Sequence, residues 1–237
     1  MKNRHSAKIF LACFLCLSIF INGCCCIDIG GWPRVKYERT DTLSAPLSPG
    51  SILIAATDVG TIDVTGMNVT ECNVIAEITV KAPTEEEAKE TADQIKITLE
   101  QNGRTLKVKT VKPRRRKHRS ISIDFNITVP NQTALELGSD VGDIKVLNIT
   151  EEIKAQTDVG KIICKEISGD IDIRSDVGSV DVVYSKTAPA ETDVGSIKTD
   201  LPLTVKGKIS KNLHGTIGAG EGKLNLKTDV GSITIRK

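Results

Sequence analysis

The sequence predicts an all-β protein: a β-solenoid of stacked repeats with about 18 residues per rung, preceded by a smaller N-terminal β-rich part with one helix. A short pattern, Ser or Thr followed by Asp-Val-Gly, occurs six times, and Ile or Val stands two residues after each glycine. Such self-similarity is typical of stacked repeats. Aromatic residues make up only 3% of the 237 residues, so aliphatic side chains and threonine must build the core. Such residues favour stacked strands.

The six copies supply the candidate structural corners of the fold. Their aspartates and glycines are Asp58 and Gly60, Asp140 and Gly142, Asp158 and Gly160, Asp176 and Gly178, Asp193 and Gly195, and Asp229 and Gly231. From the second copy onward, successive glycines lie 18, 18, 17 and 36 residues apart. A degenerate copy of the pattern at Leu213–Ile217 would supply the unit missing from the interval of 36 residues. We therefore expect about five rungs over residues 131–237, stacked at roughly 4.8 Å per strand.

Alternation within one unit predicts which side chains face the core. Ile153, Ala155, Thr157 and Val159 share one face of an alternating strand, and Asp158 lies on the other face. After the glycine the inward-facing positions shift by one residue. The interpretation is a corner with valine inward, glycine permitting the turn and aspartate outward.

A column of outward aspartates requires a source of electrostatic relief. Carboxylates about 5 Å apart repel by roughly 0.8 kcal/mol in water. Backbone N–H donors, neighbouring cations or a bound cation would each offset this repulsion. We favour backbone capping, because Asp is a preferred turn residue for that reason, with support from Lys154, Lys161, Arg174 and Lys227 nearby. A calcium ladder is disfavoured because the glycine-rich nonapeptide pattern is absent, and we expect no metal or other cofactor.

Residues 1–23 are predicted to be an export signal. Three basic residues precede an apolar run of about 13 residues, whereas a membrane-spanning helix needs roughly 20. The stretch Ile21-Asn22-Gly23-Cys24 resembles the bacterial lipobox, which makes Cys24 the candidate lipidation site. Ordinary signal cleavage nearby is the alternative. We expect residues 24–36 to form an anchor and tether that hold the protein at a membrane of the cell envelope, on the surface or periplasmic side.

Residues 37–130 are predicted to form a β-rich unit with one helix and a basic hairpin loop. Thr84 can cap the helix and Glu87 completes a capping box. Asn102-Gly103 joins two alternating runs into a hairpin. We expect residues 37–237 to form one continuous domain, with residues 131–237 as the solenoid repeats. Cys72 and Cys164 lie in apolar runs and are expected to be buried free thiols.

The basic loop is the most distinctive charged feature, with six cations in eight residues. These cations are Lys112, Arg114, Arg115, Arg116, Lys117 and Arg119. One interpretation is a solvated loop. The other is contact with an anionic partner such as envelope polysaccharide or lipid headgroups. Nucleic acid is not expected, because no aromatic side chains interleave the cations and an export signal precedes the domain.

The order of these features resembles a known family. The export signal, residues 60–64, the Thr84 helix, the hairpin and the Asp-Val-Gly repeats are similar to the bacterial putative-adhesin family, a domain of unknown function, over about residues 40–237. The resemblance implies a single-stranded parallel β-solenoid. It brings no catalytic or ligand motif to place on this chain.

Two non-enzymatic functions follow as hypotheses. The first is a lipid-anchored, adhesin-like module that binds polymers or another envelope protein along a solenoid face. The second is a structural or regulatory component of the envelope. An enzyme is not expected, since the sequence has no nucleophile elbow, zinc-protease motif or phosphate loop. A carbohydrate-active site formed by Asp170, Asp172 and Asp181 is the enzymatic alternative.

Overall fold

The structure is a computed structural model of the chain. It describes residues 35–114, 118–184, 189–192, 196–199, 203–205, 213–217 and 224–236. The export signal and Cys24 lie outside the described residues, as do Arg115, Arg116, Lys117, Asp193 and Gly195. Of the predicted tether, only Val35 and Lys36 are described, and they already belong to the first strand.

The described residues form one sheet of seventeen strands and one helix. The strands are β1 (Val35–Pro46), β2 (Ile52–Val59), β3 (Ile62–Met67), β4 (Glu71–Ala82), β5 (Lys96–Asn102), β6 (Thr105–Val111), β7 (Ser120–Pro130), β8 (Ala134–Val141), β9 (Ile144–Leu147), β10 (Ile153–Val159), β11 (Ile162–Ile167), β12 (Ile171–Tyr184), β13 (Pro189–Thr192), β14 (Ser196–Thr199), β15 (Leu203–Val205), β16 (Leu213–Ile217) and β17 (Leu224–Arg236). The helix, α1, is Glu85–Asp93. The predicted all-β, solenoid-like architecture is confirmed at this level.

Parallel pairing stacks the repeats on one another. Strand β10 pairs in parallel with β8, with Ile153 opposite Leu135, and β12 pairs in parallel with β10, with Ile171 opposite Ile153. The second half of each repeat pairs in the same way, β9 with β11 and β11 with β12. Paired core residues of successive units are therefore one sequence repeat apart.

The first repeat belongs to the same stack, although a long segment separates it from the second. Strand β2 pairs in parallel with β8, with Leu53 opposite Leu135, and β3 pairs with β9, with Ile62 opposite Ile144. The segment from β4 to β7 is therefore inserted in the sequence between two repeats that form adjacent rungs of the stack. Within it, β4 pairs antiparallel with both β1 and β7, and β5 with β6 form the predicted hairpin.

The C-terminal strand is out of chain order in the stack. Strand β17 pairs in parallel with β12, with Ile171 opposite Leu224, and also pairs with β13 and β14. The prediction that Leu213–Ile217 supplies a rung is wrong, because this segment is β16 and runs antiparallel to β13 and β15. Strand β17 extends over 13 residues, which is long enough to pair with β12 on one side and with both β13 and β14 on the other.

Columns of aliphatic side chains fill the interior. One column runs through the five stacked rungs and is at most 1% exposed, and it consists of Ile62, Ile144, Ile162, Val180 and Ile233. Full burial of each such side chain contributes roughly 1.5–3 kcal/mol. These columns confirm the predicted inward positions on the strand that follows each corner.

Helix α1 begins as the sequence predicts. The Thr84 hydroxyl oxygen accepts a hydrogen bond from the Glu87 N–H at 3.2 Å. Ala88 and Ala92 are buried. At the other end, Arg39 of β1 donates to the Ala92 carbonyl oxygen at 2.7 Å, so a cation lies at the negative end of the helix dipole. These contacts hold the insertion against the first strand.

Candidate functional site

The glycine of each repeat lies where successive rungs approach most closely. The φ angles of Gly60, Gly142, Gly160, Gly178 and Gly231 lie between 139° and 158°. A Cβ added to Gly160 would overlap the carbonyl oxygen of Gly142, and Gly142, Gly178 and Gly231 meet the carbonyl of the neighbouring rung's glycine in the same way, whereas Gly60 meets the Ile123 carbonyl of β7. Close approach of backbone to backbone, as well as the turn, therefore requires glycine here.

In four of the described corners the hydroxyl residue before the aspartate links one rung to the next. Its side chain is buried and donates to the carbonyl oxygen of the glycine in the neighbouring rung, whereas Thr57 of the first copy donates to the Ile123 carbonyl oxygen of β7 at 3.2 Å. The donor–acceptor pairs are Ser139 to Gly60 at 3.1 Å, Thr157 to Gly142 at 3.0 Å, Ser175 to Gly160 at 3.1 Å and Thr228 to Gly178 at 3.4 Å. Alternation along the strands predicts only that these residues face inward. The signal was present, since every copy has Ser or Thr at this position.

The valine of the repeat faces solvent, so the prediction that it points inward is wrong. Val59, Val141, Val159, Val177 and Val230 are between 37% and 63% exposed. In the described rungs the alternation of inward and outward residues is interrupted after the hydroxyl residue. The aspartate and the valine that follow it therefore both face outward. The resulting column of outward Asp-Val pairs, from Asp58-Val59 to Asp229-Val230, is called the corner stripe below.

Cations, and not backbone donors, pair with three of the five described aspartates of the corner stripe. Asp58 lies 3.3 Å from Lys112, Asp176 lies 3.0 Å from Arg174, and Asp229 lies 3.7 Å from Lys227. The hydrogen bond and charge of Asp176 raise the pKa of Arg174 above its ordinary value. Among the described residues no cation lies within ion-pair distance of Asp140 or Asp158.

The predicted backbone capping occurs at a different position from the one expected. Asp143, which follows the glycine, accepts a hydrogen bond from the Lys161 N–H at 2.8 Å. Asp124 of β7 accepts one from the Thr61 N–H at 2.6 Å. The expectation that the repeat aspartates themselves cap the turns is therefore wrong for the described corners. Within the described part of the chain, no group of three or more His, Cys, Asp or Glu is placed to hold a metal ion.

A polar depression, called the outer trough below, crosses the outward faces of β2, β8, β10 and β12. Its volume is about 580 Å³. Ala56, Gly138, Gln156 and Arg174 lie opposite one another in register, so small residues on two strands adjoin long polar side chains on the next two. Lys154 also lines the trough, and its ion pair with Glu152 at 3.1 Å raises its pKa. The trough offers amide, cationic and carboxylate groups to a ligand.

Of the three carboxylates suggested for a carbohydrate-active site, Asp170 and Asp172 lie two residues apart at the start of β12, and Asp181 lies apart from them. Asp172 lines the outer trough and accepts a hydrogen bond from the Asn225 amide at 2.9 Å. Asp181 lies beyond the corner on β12, where it pairs with Arg236 at 3.1 Å. The pairing of Asp181 with a cation favours a structural role for that carboxylate.

Two of the six cations of the basic loop are attached to the body of the protein. Lys112 pairs with Asp58, and Arg119 donates to the Thr91 hydroxyl at 2.6 Å and lies 3.6 Å from Glu87. Arg114 is exposed. A smaller cavity of about 310 Å³ lies at the base of the loop, lined by Lys112, Pro113, Arg114 and Arg119 together with Asp58, Val59, Thr91 and Gln94. The loop thus combines a fixed base with at least one exposed cation.

The two body cysteines are buried free thiols, as predicted. Burial raises the pKa of both Cys72 and Cys164 from 9.0 to about 12. Neither thiol is therefore a candidate nucleophile at neutral pH. Within the described ranges, no helix has the length and apolarity needed to cross a bilayer.

Comparisons with known proteins bear on family and fold. The Toastrack DUF4097 family model matches residues 96–236. A putative cell adhesion protein from Clostridium sporogenes has a similar crystal structure, with a TM-score of 0.54 and 14% sequence identity, covering 84% of this chain and 99% of that chain. This likeness concerns the fold alone. The comparison with curated proteins gives no match.

Two further solved structures have much lower TM-scores. A putative adhesin from Bacteroides fragilis has a TM-score of 0.32 and 14% identity, covering 83% of this chain and 97% of that chain. A putative lipid binding protein from Parabacteroides distasonis has a TM-score of 0.27 and 9% identity, covering 84% of this chain and 96% of that chain. Neither score is high enough to carry a structural argument.

Proposed function

The chain belongs to the Toastrack DUF4097 family, and on that basis we propose that it is a non-enzymatic, adhesin-like binding protein of the cell envelope. The observation that carries the proposal is the outer trough, a polar depression of about 580 Å³ over four neighbouring strands of a densely packed scaffold. The structural neighbour from Clostridium sporogenes is described as a putative cell adhesion protein, which supports the same class of function.

The chemistry of the outer trough favours an extended polar polymer as ligand. Gln156 and Arg174 offer donors, Glu136 offers a carboxylate, and Ala56 and Gly138 leave room for the chain of the ligand. The four strands span roughly 14 Å along the stack at about 4.8 Å per step. Envelope polysaccharide has hydroxyl and carboxyl groups that such side chains can bind, so we propose it as the ligand class.

Filling the trough tests this function without breaking the fold. The nearest atom to a Cβ placed on Gly138 is the Ala56 Cβ at 3.7 Å, an ordinary contact, so Gly138→Leu adds volume without backbone strain. Asn126→Leu adds apolar volume at an exposed position of β7, outside the trough, and is the matched control. We expect Gly138→Leu to weaken binding to isolated envelope polysaccharide at least tenfold in a pull-down titration, and the control to bind normally.

Equal binding by Gly138→Leu and wild type would contradict the trough proposal. It would favour the alternative, a structural or regulatory component of the envelope that acts through another protein. Melting curves of both variants establish that each is folded before binding is compared.

We also propose that the protein is exported and lipid-anchored through Cys24. The lipobox-like stretch ending at Cys24 supports this location. Cells that express the full chain are labelled with a palmitate analogue and then fractionated. Cys24→Ser is expected to lose the label and to leave the membrane fraction, and Cys25→Ser is the control that keeps both. A label retained by Cys24→Ser would contradict the anchor.

The basic loop is proposed as an additional contact with anionic polymer or lipid headgroups. Because Lys112 and Arg119 pair with the body, this role belongs to the four cations between them, Arg114, Arg115, Arg116 and Lys117. Their joint replacement by Ser should abolish sedimentation with vesicles that contain phosphatidylglycerol, and should leave the melting temperature unchanged. Vesicle binding that survives this replacement would exclude the loop as the contact.

A further inference from the structure

The corner stripe is a continuous exposed apolar feature along the stack. Parallel register places Val59 opposite Val141, Val141 opposite Val159, Val159 opposite Val177 and Val177 opposite Val230. All five are more than a third exposed. At roughly 4.8 Å per rung the stripe is on the order of 19 Å long. Contiguous apolar surface exposed in this way is typical of an interaction site.

Among the described residues, the aspartates at the second and third corners of the stripe lack a close ion pair, although the charge of Asp158 contributes to the raised pKa of Arg174. Asp58, Asp176 and Asp229 each have a lysine or arginine within 4 Å. Asp140 and Asp158 have no such partner among the described residues. The valines next to these two carboxylates, Val141 and Val159, are about half exposed. A ligand for this part of the stripe must therefore be both cationic and apolar.

The first corner already has such an occupant, supplied by the chain itself. Lys112 lies 3.3 Å from Asp58. Pro113 and Arg114 line the same cavity of about 310 Å³ as Asp58 and Val59. A basic segment that contains proline thus lies beside an Asp-Val corner in this molecule, with its lysine paired to the aspartate and its proline lining the same cavity as the valine.

We propose that the corner stripe at Asp140, Val141, Asp158 and Val159 binds a basic, proline-containing segment of a partner polypeptide. The repeat distances of ligand and stripe agree. A polyproline II helix repeats every three residues, or about 9.3 Å, and two rungs of the stack measure roughly 9.6 Å. A lysine at every third position faces every second aspartate of the stripe, so one lysine serves Asp140 and Asp158, which lie one rung apart, and apolar residues beside it lie on the valines. Asp140 and Asp158 also line the outer trough, whereas Val141 and Val159 do not, so the valine variants and Gly138→Leu distinguish the failure of one proposal from the failure of the other.

The test uses a labelled peptide of four Lys-Pro-Val repeats and the full chain, with fluorescence anisotropy as the readout. We expect the double variant Asp140→Asn with Asp158→Asn to bind at least tenfold more weakly than wild type. Val141→Ser with Val159→Ser should weaken the same binding severalfold. The charge-matched control is Glu77→Gln with Glu90→Gln, two exposed residues away from the stripe, which should bind as wild type does.

Three outcomes would overturn the proposal. The first is an equal loss of affinity in the Glu77 and Glu90 control, which would mean that net charge alone attracts the peptide. The second is equal affinity for a peptide of four Lys-Gly-Ser repeats, which would mean that the valines take no part. The third is self-association in sedimentation that excludes the peptide and disappears in the Asp140 and Asp158 variant, which would make a second copy the occupant.

Discussion

The hydroxyl of Thr157 donates a hydrogen bond of 3.0 Å to the carbonyl oxygen of Gly142, one rung earlier in the stack. Thr157 is fully buried. The backbone bonds at this corner use other groups, with the Gly142 N–H donating to the Val159 carbonyl at 2.9 Å. The hydroxyl therefore satisfies a carbonyl for which no described backbone donor is close.

Replacing Thr157 by Val is expected to lower the free energy of unfolding by about 1–3 kcal/mol, because it leaves that carbonyl without a donor at nearly constant side-chain volume. Thr157→Ser keeps the hydroxyl and should lose less. Urea unfolding of the two variants measures the difference. Equal stability of Thr157→Val and wild type would mean that water or another donor replaces the hydroxyl.

Two glycines of the stack should respond oppositely to the same substitution. A Cβ at Gly160 would overlap the carbonyl oxygen of Gly142, whereas a Cβ at Gly138 meets only the Ala56 side chain at 3.7 Å. Gly160→Ala should therefore lower the melting temperature sharply or prevent folding. Gly138→Ala should be neutral or stabilising by about 0.5–1 kcal/mol, because glycine is costly inside a strand. Similar melting temperatures for the two variants would refute the close approach.

The cations of the basic loop should separate into stabilising and exposed ones. The side chain of Arg119 is 12% exposed and contacts Thr91 and Glu87 of α1. Arg119→Met is expected to cost about 1–3 kcal/mol in urea unfolding, since it removes a charged hydrogen bond that is largely buried. Arg114→Met, at an exposed position of the same loop, is the matched control and should have no measurable effect. A loss of stability in both would mean that the whole loop is structural.

Cys164 is expected to resist thiol reagents in the native protein. Burial raises its pKa from 9.0 to about 12, so the thiol stays protonated and inaccessible at pH 8 to 10. Maleimide labelling followed by peptide mapping should show modification of Cys164 only in denaturant. Between pH 9 and 12 the unfolded thiol loses its proton and the folded one does not, so the contribution of Cys164 to stability should fall as pH rises. Cys164→Ala should reduce that dependence, and rapid native labelling would contradict its burial.

Much of the rung could be predicted from local sequence. The spacing of Gly142, Gly160 and Gly178 corresponds to the parallel register of β8, β10 and β12. Alternation identified Ile153, Ala155 and Thr157 as inward, because successive side chains of a strand point to opposite faces. The Thr84 cap was also predictable, since a hydroxyl at that position has a defined donor three residues later.

The corner itself could not be read from alternation. Period two places Val159 on the inward face, but the chain turns after Thr157, and both Asp158 and Val159 are outside. The outer trough and the corner stripe both depend on this turn. Their residues come from strands as far apart in sequence as Asp58 and Asp158, so the sequence predicted neither as a site.

The sequence by itself determined the repeat, its aliphatic core and the residues that each corner requires, because these depend on contacts that recur identically in every rung. Only the tertiary structure decided the order of the rungs. The segments Thr192–Ile197 and Thr228–Ile233 have identical sequences, so local conformational preferences cannot decide which of them pairs with β12. The whole strand decides it: β17 is continuous, pairs with β12 along nearly its full length and buries Leu226 and Ile235, while β13 and β14 are strands of four residues each.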